Sequence, residues 1–586
     1  MIARAMPRPR VELEPLRRSL VAGESFAAPA WLADAALDPD AFWRGVAPAL
    51  VAAGGSSRST LFERYQLAHD LGARHATGRA LGFAGYDPAG GATATSYASL
   101  VDGARALAGA WRARGVGPGA CIAIVAPLSG ELVTALLAAW HLGAVPAPLP
   151  VWGRTYVHDR LATAKADFVA TSRPRGLWLD IPAELRLATV AAGDAAPGLA
   201  YAYAPDDPAL RVFSPLGDAP LAPVDVPAER LYLGALRDAA LFFDLGAGIA
   251  VAAPGFCEVQ FGLPLAITCL AGGACFWAID LDEACQRPEL VCDGRIHVLG
   301  VHPQLRDAIV AGDVGGAGPP RWFRSPATPH DPDGWSRLSA ARTFARSLGA
   351  CYFASPVAGG AITWSAWRRS PALNTALPAP GLDWQLRDPG RGGAVASDGN
   401  GVLTSKAAPA DAIGQPLLGQ LAGDRRQPSA GGGAPDGSAG GAGVLPRGIE
   451  SLWVTSIGAH RDGQRLPAAE IEALVAARPE VWGSTLVDDP RAGAVLVVFA
   501  RPDRLDAGQP ARDTLAGELA ALISIELAPH LVPARIEVFT LSPRVGKDGA
   551  LDRDWCRGQH VSGRLAAKQR EPLFTQIATL RLALEP

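Results

Sequence analysis

The chain of 586 residues contains eight cysteines, whose thiols could bind a metal or take part in redox chemistry. Two cysteines separated by two residues can bind zinc or exchange disulfides. None of the eight cysteines forms such a pair, but five lie in one apolar stretch: Cys257, Cys269, Cys275, Cys285 and Cys292. A buried free cysteine commonly packs as a small hydrophobic side chain. The sequence therefore predicts structural cysteines, no metal site and a reducing, cytoplasmic location.

Signatures of other common reactions are missing from the sequence. It contains neither a Gly-x-Ser-x-Gly nucleophile turn nor a Walker-type phosphate loop. Gly246-Ala247-Gly248 lacks the third glycine and the acidic partner of a dinucleotide-binding fingerprint. These observations leave no competing catalytic signature of the hydrolase, P-loop or dinucleotide-binding classes.

Composition and charge argue against nucleic-acid-binding, disordered and membrane-spanning proteins. The chain has 54 basic and 57 acidic residues, a net charge of -3, and no long basic run, which argues against non-specific nucleic-acid binding. A hydrophobic content of 49% with 19% charged residues is typical of a globular chain, and the length fits several domains. The most apolar run, 132–151, is interrupted by His141, Gly143 and three prolines, so no membrane span is expected.

The apolar pattern predicts alternating helices and strands. Apolar residues at helical spacing predict helices over 100–111 and 132–140, and the run 121–125 between them predicts a strand buried on both faces. Further strands are expected within 295–301 and 343–353. This alternation is typical of an α/β domain.

A change in composition divides the chain near its C-terminal end. Segment 427–448 consists mainly of Gly, Ala, Ser and Pro, a composition typical of a flexible loop. Beyond it, the pattern predicts helices over 468–475 and 513–527 and strands over 494–499 and 534–540. These elements predict a separate small α+β domain.

Several short segments, in a fixed order, resemble one enzyme superfamily. Near the N-terminal side they are Ser96-Tyr97 with Leu100, Gly115-Val116-Gly117-Pro118-Gly119, Ile122-Ala123-Ile124 with Pro127, Ser129 and Glu131, and Gly143-Ala144-Val145 with Pro148-Leu149. Near the C-terminal side they are Gly463-Gln464-Arg465-Leu466, Ala469-Glu470-Ile471-Glu472 and Ser542-Pro543-Arg544-Val545-Gly546-Lys547. Together they resemble the adenylate-forming (AMP-binding) superfamily of acyl-CoA synthetases, fatty acyl-AMP ligases, peptide-synthetase adenylation domains and luciferases.

The resemblance implies an α/β fold with a large multi-subdomain N-terminal domain and a small mobile α+β C-terminal domain. The expected divisions are an N-terminal extension over 1–90, the AMP-binding-like domain over 91–450, the small domain over 451–560 and a tail over 561–586. In this superfamily an acid attacks the α-phosphate of ATP, which gives an acyl-adenylate and pyrophosphate, and the acyl group then passes to a thiol. The resemblance thus implies ATP and Mg²⁺ as cofactors, with a carboxylic acid or acyl ligand and a CoA or carrier-protein thiol as partners.

The same resemblance implies a nucleotide site. Tyr352 corresponds to a tyrosine that can stack on the purine, and Ser355 stands in place of a threonine. Asp424 corresponds to an aspartate that binds the ribose hydroxyls, and Lys547 to the catalytic lysine that contacts the acid carboxylate and the α-phosphate. Pro356 replaces the glutamate that binds Mg²⁺, so no metal ligand is assigned.

The phosphate loop departs from the family's pattern. Ser214 and Gly217 stand where the family has a Gly/Ser/Thr-rich loop ending in Pro-Lys, and they are the candidate phosphate contacts. Around them stand two prolines without amide donors, an aspartate that repels phosphate and a leucine in the lysine's place: Pro215, Pro220, Asp218 and Leu221. The segment is therefore a poor cradle for a triphosphate.

Three further residues are implied as the lining of an acyl pocket. Phe256 and Cys257 stand where the family commonly has an aromatic residue and a histidine beside the acyl group. His302, followed by Pro303, resembles the segment before the acyl-pocket helix. A structural histidine with satisfied hydrogen bonds is the alternative for His302.

Two functions follow from the resemblance and its departures. The first is a degenerate member that has lost ATP-dependent acid activation and binds or scaffolds an acyl group, an adenylate or a partner protein. The second is an active acyl- or aryl-acid ligase with a remodelled ATP site, in which Lys547 contacts the α-phosphate and Asp424 the ribose. The loss of several phosphate contacts together favours the first, because losing one such donor already slows a reaction about 10² to 10³-fold.

Overall fold

The computed structural model describes residues 12–21, 31, 35, 38–53, 57–87, 91–171, 181–190, 198–213, 222–326, 331–369, 375–382, 384–387, 400–405, 417–422, 451–456, 459–461, 464–489, 492–504, 508–546 and 551–569. The chain divides into two compact units. The first unit comprises Met1–Val151, Asp159–Pro215 and Leu221–Ile457, and the second comprises Trp152–His158, Leu216–Pro220 and Gly458–Pro586.

Helices occur in both units. The α-helices are α1 (Leu13–Leu20), α2 (Pro39–Ala53), α3 (Leu67–Asp70), α4 (Tyr97–Ala113), α5 (Gly130–Leu142), α6 (Arg154–Ala164), α7 (Ala228–Arg237), α8 (Leu263–Gly272), α9 (Leu281–Gln286), α10 (Glu289–Cys292), α11 (Pro303–Gly312), α12 (Pro332–Ala340), α13 (Ala468–Ala476), α14 (Gln509–Glu526), α15 (Arg553–Val561) and α16 (Arg564–Gln569). Single turns of 3₁₀-helix lie at Ala73–His75, Pro356–Ala358 and Pro529–Leu531, and π-helical turns at Asp238–Phe243 and Glu258–Gly262.

Strands likewise occur in both units. They are β1 (Leu81–Asp87), β2 (Gly91–Ser96), β3 (Cys121–Val125), β4 (Val145–Leu149), β5 (Phe168–Thr171), β6 (Arg186–Leu187), β7 (Pro208–Phe213), β8 (Pro223–Pro227), β9 (Ala250–Ala252), β10 (Cys275–Ala278), β11 (Val298–Gly300), β12 (Arg321–Arg324), β13 (Leu348–Ser355), β14 (Gly360–Trp364), β15 (Thr375–Pro378), β16 (Trp384–Arg387), β17 (Asn400–Ser405), β18 (Leu417–Ala422), β19 (Ser451–Ser456), β20 (His460–Arg461), β21 (Gln464–Arg465), β22 (Val481–Asp489), β23 (Gly493–Ala500) and β24 (Arg535–Phe539).

A 13-stranded sheet organises the first unit. Its order is β16-β17-β18-β19-β15-β14-β13-β12-β11-β9-β10-β1-β2. The six strands from β13 to β1 run parallel, and the strands at both ends continue the sheet antiparallel. Helices α8, α11 and α12 connect successive parallel strands, as parallel pairing requires. The carboxyl ends of these strands therefore meet at one edge of the sheet, where ligands of open α/β folds commonly bind.

A second, four-stranded parallel sheet in the first unit has the order β4-β3-β5-β6. Helix α5 connects β3 to β4, and it begins where the Ser129 side chain accepts a hydrogen bond from Leu132 N. It ends at Gly143, whose φ of +76° is the left-handed conformation that favours glycine. A Cβ at this position would also lie 2.6 Å from the Tyr201 ring, so close packing requires glycine here as well.

The second unit contains a three-stranded sheet of order β22-β23-β24 with helices α13 to α16. Strand β23 is central and buried over seven of its eight residues. On α15, His560 Nε2 lies 3.1 Å from Asp489 Oδ2, and its Nδ1 lies 3.5 Å from Glu537 Oε2. The histidine thereby ties the helix to both outer strands.

Most sequence-based elements are confirmed. Helices α4 and α5, strand β3 and the elements expected in the small domain occur where the apolar pattern predicts them. The strand expected over 343–353 begins later, at Leu348, because Phe344 N and Ser347 N close two consecutive turns onto Ala341 O and Phe344 O. Strand β22 was not predicted. The expected α/β fold class, with a large unit and a small α+β unit, is confirmed.

Within the described ranges, no helix combines the length and the apolar character needed to cross a membrane.

Candidate functional site

The candidate site lies where the parallel strands of the large sheet end. Phe256 and Cys257 follow β9, His302 follows β11, and Tyr352 and Ser355 occupy the end of β13. Because these strands are parallel, their carboxyl ends lie on the same edge of the sheet. The fold thus brings together nucleotide and acyl-pocket candidates from segments that are distant in sequence.

Phe323 on β12 connects the two groups of candidates. Its ring centroid lies 5.4 Å from that of Tyr352 and 5.5 Å from that of Phe256, within the range of favourable aromatic pairs. An ideal Cβ on Gly255 would lie 3.0 Å from the His302 ring, so the 254–257 turn also contacts His302. Phe256, Phe323 and Tyr352 thus form one continuous aromatic wall.

Tyr352 is completely buried in this wall. Its ring stacks on Phe242 at a centroid distance of 5.3 Å and an interplanar angle of 18°, and it also contacts Phe243. The hydroxyl donates a hydrogen bond to Asp238 Oδ2 at 3.1 Å. Burial, and then the charge of Asp238, raises the pKa of Tyr352 well above its ordinary value, so the hydroxyl keeps its proton.

A buried ion pair holds the tyrosine hydroxyl in place. Arg237 and Asp238 lie where α7 passes into its π-helical turn, and both side chains have at most 1% of their surface exposed. Arg237 donates to Asp238 Oδ1, to Pro380 O and to Ala361 O at 2.8–2.9 Å. Asp238 Oδ2 accepts from Ala361 N at 2.5 Å as well as from Tyr352.

Opposing effects act on the Asp238 carboxyl. Burial raises the pKa of this carboxyl above its ordinary value, and Arg237 and the hydrogen bonds from Ala361 N and Tyr352 limit that rise. Four donor contacts to one carboxyl favour its ionised form. Sequence analysis missed this pair, and its only signal was two adjacent opposite charges inside the apolar run 231–243.

Ser355 and the following proline shape a tight turn. The Ser355 side chain is 1% exposed and accepts a hydrogen bond from Val357 N at 3.3 Å, so it caps the 3₁₀ turn Pro356–Ala358. Pro356 is buried and supplies no carboxylate at the position where the family has one. The turn closes with Gly359 at φ +71°.

The acyl-pocket candidates differ in their surroundings. Phe256 is partly exposed and lies 5.2 Å from the Phe261 ring, centroid to centroid. His302 is 6% exposed, and its Nδ1 accepts a hydrogen bond from Gln304 N at 3.4 Å, so it caps the N-terminus of α11. This cap supports the structural alternative for His302, whose Cγ faces Gly255 in the 254–257 turn.

Cys257 is half-buried, and burial raises the pKa of its thiol to about 12. We expect iodoacetamide at pH 8 to modify Cys257 in the native protein about a hundredfold more slowly than free cysteine, because little thiolate is present. Peptide mass spectrometry over a time course gives the rate, and the urea-unfolded chain is the control. A native rate equal to the unfolded rate would contradict the burial of this thiol.

The other cysteines form no chemical centre. All eight are free, and six of them are buried. Among the residues that the structure describes, no group of three or more His, Cys, Asp or Glu side chains could hold a metal ion.

Four candidates lie outside the described residues. They are Lys547, Asp424, Ser214 and Gly217. The segment leading to Lys547 is described up to Gly546, and within it Arg544 is 62% exposed and pairs with Asp552 at 3.3 Å.

Comparisons with known proteins agree with this fold. Residues 73–209 match the family model "AMP-binding enzyme". No curated protein matches the chain in sequence. Among solved structures, the amide bond synthetase from Marinactinospora thermotolerans is similar with a TM-score of 0.60 and 17% identity, over 84% of this chain and 99% of that one.

Two CoA synthetases are similar as well. Acetoacetyl-CoA synthetase from Streptomyces lividans has a TM-score of 0.57 and 16% identity, over 93% of this chain and 94% of that one. o-Succinylbenzoate CoA synthetase from Bacillus subtilis has a TM-score of 0.58 and 14% identity, over 84% and 98%. The resemblance to the adenylate-forming superfamily is therefore confirmed: the chain has the fold of these enzymes, and residues 73–209 carry their family match.

Proposed function

We propose that this protein has lost ATP-dependent acid activation and uses the adenylate-forming fold to bind an acyl ligand or a partner protein. The burial of Tyr352 carries this proposal. One face of its ring is covered by Phe242, its hydroxyl is held by Asp238, and none of its surface is exposed. A purine could stack on this ring only after the aromatic wall had opened.

The surroundings of the turn after β13 also argue against a Mg²⁺ site. Mg²⁺ is commonly held by one or two carboxylates together with the phosphates of its nucleotide. Pro356 offers no such ligand, and the neighbouring Asp238 carboxyl is already engaged by Arg237, Tyr352 and Ala361. Freeing Asp238 for a metal would leave the Arg237 charge buried without its partner.

The sequence of the phosphate loop adds an independent reason. Backbone amides hold phosphate groups in such loops, and Pro215 and Pro220 have no amide proton. Asp218 places a negative charge in the same segment. Binding of a triphosphate here would therefore lack several of the contacts that neutralise its charge.

The kinds of enzyme that share the fold support one class of ligand. The similar structures include two CoA synthetases and an amide bond synthetase. These names support a carboxylic acid or acyl group as the ligand of this chain. The aromatic wall of Phe256 and Phe323 offers an apolar surface for such a group.

Exchange of labelled pyrophosphate into ATP tests the loss of activation, because exchange requires reversible formation of an acyl-adenylate. With short-chain, long-chain and aromatic acids, we expect exchange no faster than in the Lys547→Ala variant. Acid-dependent exchange that Lys547→Ala abolishes would contradict the proposal and establish the alternative, an active ligase with a remodelled ATP site. Circular dichroism of both proteins confirms that they are folded.

A further inference from the structure

A cavity of the first unit lies away from the strand ends described above. It has a volume of about 260 Å³ and lies among α3, α4, α5 and the segment 198–200. None of its lining residues belongs to the segments that carry Tyr352, Ser355, Phe256 or His302. The cavity is therefore separate from the candidate nucleotide and acyl-pocket residues.

One buried side chain in this cavity lacks a hydrogen-bond partner. His141, at the C-terminal end of α5, is 8% exposed, and its Nε2 is buried without a partner in the structure. Buried polar atoms in proteins are nearly always hydrogen-bonded, so an unpaired one at a cavity wall indicates a missing ligand or water. Burial, followed by Arg112 and Arg105, lowers the pKa of His141, and the ring is then neutral and can donate only one hydrogen bond.

Two arginines give the cavity a positive charge. Arg58 and Arg105 both line it, and both are exposed side chains able to turn toward a bound anion. Arg105 pairs with Asp102 at a long distance of 3.9 Å, and 77% of the Asp102 side chain is exposed. This pair leaves the Arg105 guanidinium free to make shorter contacts.

A second histidine of the cavity is already fixed in place. His69 lines the cavity, and its Nδ1 lies 2.7 Å from Asp70 Oδ1. Asp70 is fully buried and accepts hydrogen bonds from Ser57 Oγ, Arg58 N and Ser59 N. The buried carboxylate therefore orients both His69 and the loop that carries Arg58, while its own charge is met by these four donors.

We propose that this cavity binds a small oxyanion, a carboxylate or a phosphate group carried on a short carbon chain. The oxyanion accepts a hydrogen bond from His141 Nε2 and pairs with Arg58 and Arg105, and the carbon chain contacts Val101 and Leu137. The volume is smaller than the roughly 300–1,000 Å³ of sites for drug-sized ligands, which limits the ligand to a few carbon atoms. Guanidinium groups are well suited to both oxyanions.

Nuclear magnetic resonance of the full chain with ¹³C-labelled histidine rings tests this site. The chain has ten histidines, and the His141 signal is assigned by its loss in His141→Gln or by its displacement in Arg105→Gln. Inorganic phosphate and butyrate are titrated separately to about 50 mM. We expect a saturable shift of the His141 signal with at least one anion. Tighter binding of phosphate would identify a phosphoryl ligand, and tighter binding of butyrate a carboxylic ligand.

Variants distinguish specific binding in this cavity from nonspecific electrostatic attraction of anions to the protein. Arg105→Gln, which changes an exposed side chain, is expected to weaken binding about tenfold. Arg64→Gln, an exposed arginine outside the cavity lining, is the matched control and should leave the affinity unchanged. Lys547→Ala should also leave it unchanged, which separates this site from the proposed function. The proposal is overturned if neither anion gives a saturable shift, or if Arg105→Gln binds as tightly as the unchanged chain.

Discussion

Replacing Asp238 with alanine is expected to lower the free energy of unfolding by about 3–5 kcal/mol. The substitution leaves the Arg237 guanidinium buried without a counter-charge and removes the acceptor of the Ala361 N and Tyr352 hydrogen bonds. Breaking one side of a buried pair is far more costly than replacing both partners. The loss should also loosen the aromatic wall, because Arg237 lies 5.5 Å from the Trp364 ring centroid, and Trp364 stacks on Phe242, which covers Tyr352.

Urea unfolding of the full chain, followed by near-ultraviolet circular dichroism, measures this change. Glu14→Ala is the matched control, since it removes a carboxylate from the exposed pair with Arg18 at 2.9 Å. Exposed pairs of this kind contribute about 0–1 kcal/mol. If Asp238→Ala and Glu14→Ala had equal effects, the buried Arg237 network described here would be wrong.

Replacing Gly359 with alanine is expected to be nearly as destabilising, by more than about 3 kcal/mol. Gly359 has a φ of +71°, a conformation that costs an alanine roughly 1–2 kcal/mol. Its Cβ would also lie 2.4 Å from Arg230 O, a backbone atom that cannot swing aside. The turn after β13 must therefore shift, and it carries Ser355 and Pro356 with it.

Gly115→Ala is the control that separates the conformational cost of the Gly359 substitution from the cost of the collision with Arg230 O. Gly115 has a φ of +90°, but a Cβ there has no neighbour within 4 Å. It should therefore show the conformational cost alone, and the difference between the two variants in thermal unfolding reports the collision with Arg230 O. Equal losses of stability in both variants would mean that α7 and the turn after β13 do not pack as closely as described.

Local patterns of the sequence predicted much of the fold. Helices α4 and α5 have regular apolar spacing and serine caps, and strand β3 is an uninterrupted apolar run between them. Such features depend on neighbours in sequence, which a single chain displays directly. Strand β22 was missed because its burial alternates irregularly and its sequence includes Gly483, Ser484 and paired aspartates.

The candidate site could be predicted only in part. Motif resemblance selected Tyr352, Ser355, Phe256, Cys257 and His302, and the parallel sheet brings their segments to one edge. The resemblance could not show that Tyr352 is buried against Asp238, because this contact joins residues 114 positions apart. An ion pair inside an apolar run shows no periodic pattern, and its role depends on the tertiary fold alone.

Calorimetric titration with ATP and Mg²⁺ tests the central claim, the loss of the nucleotide site, without requiring the correct acid. We expect no saturable heat up to about 5 mM ATP, for the unchanged chain and for Lys547→Ala alike. Saturable, Mg²⁺-dependent binding that Lys547→Ala weakens would contradict the account. It would mean that the aromatic wall around Tyr352 opens to admit a purine, and it would favour the alternative of an active ligase.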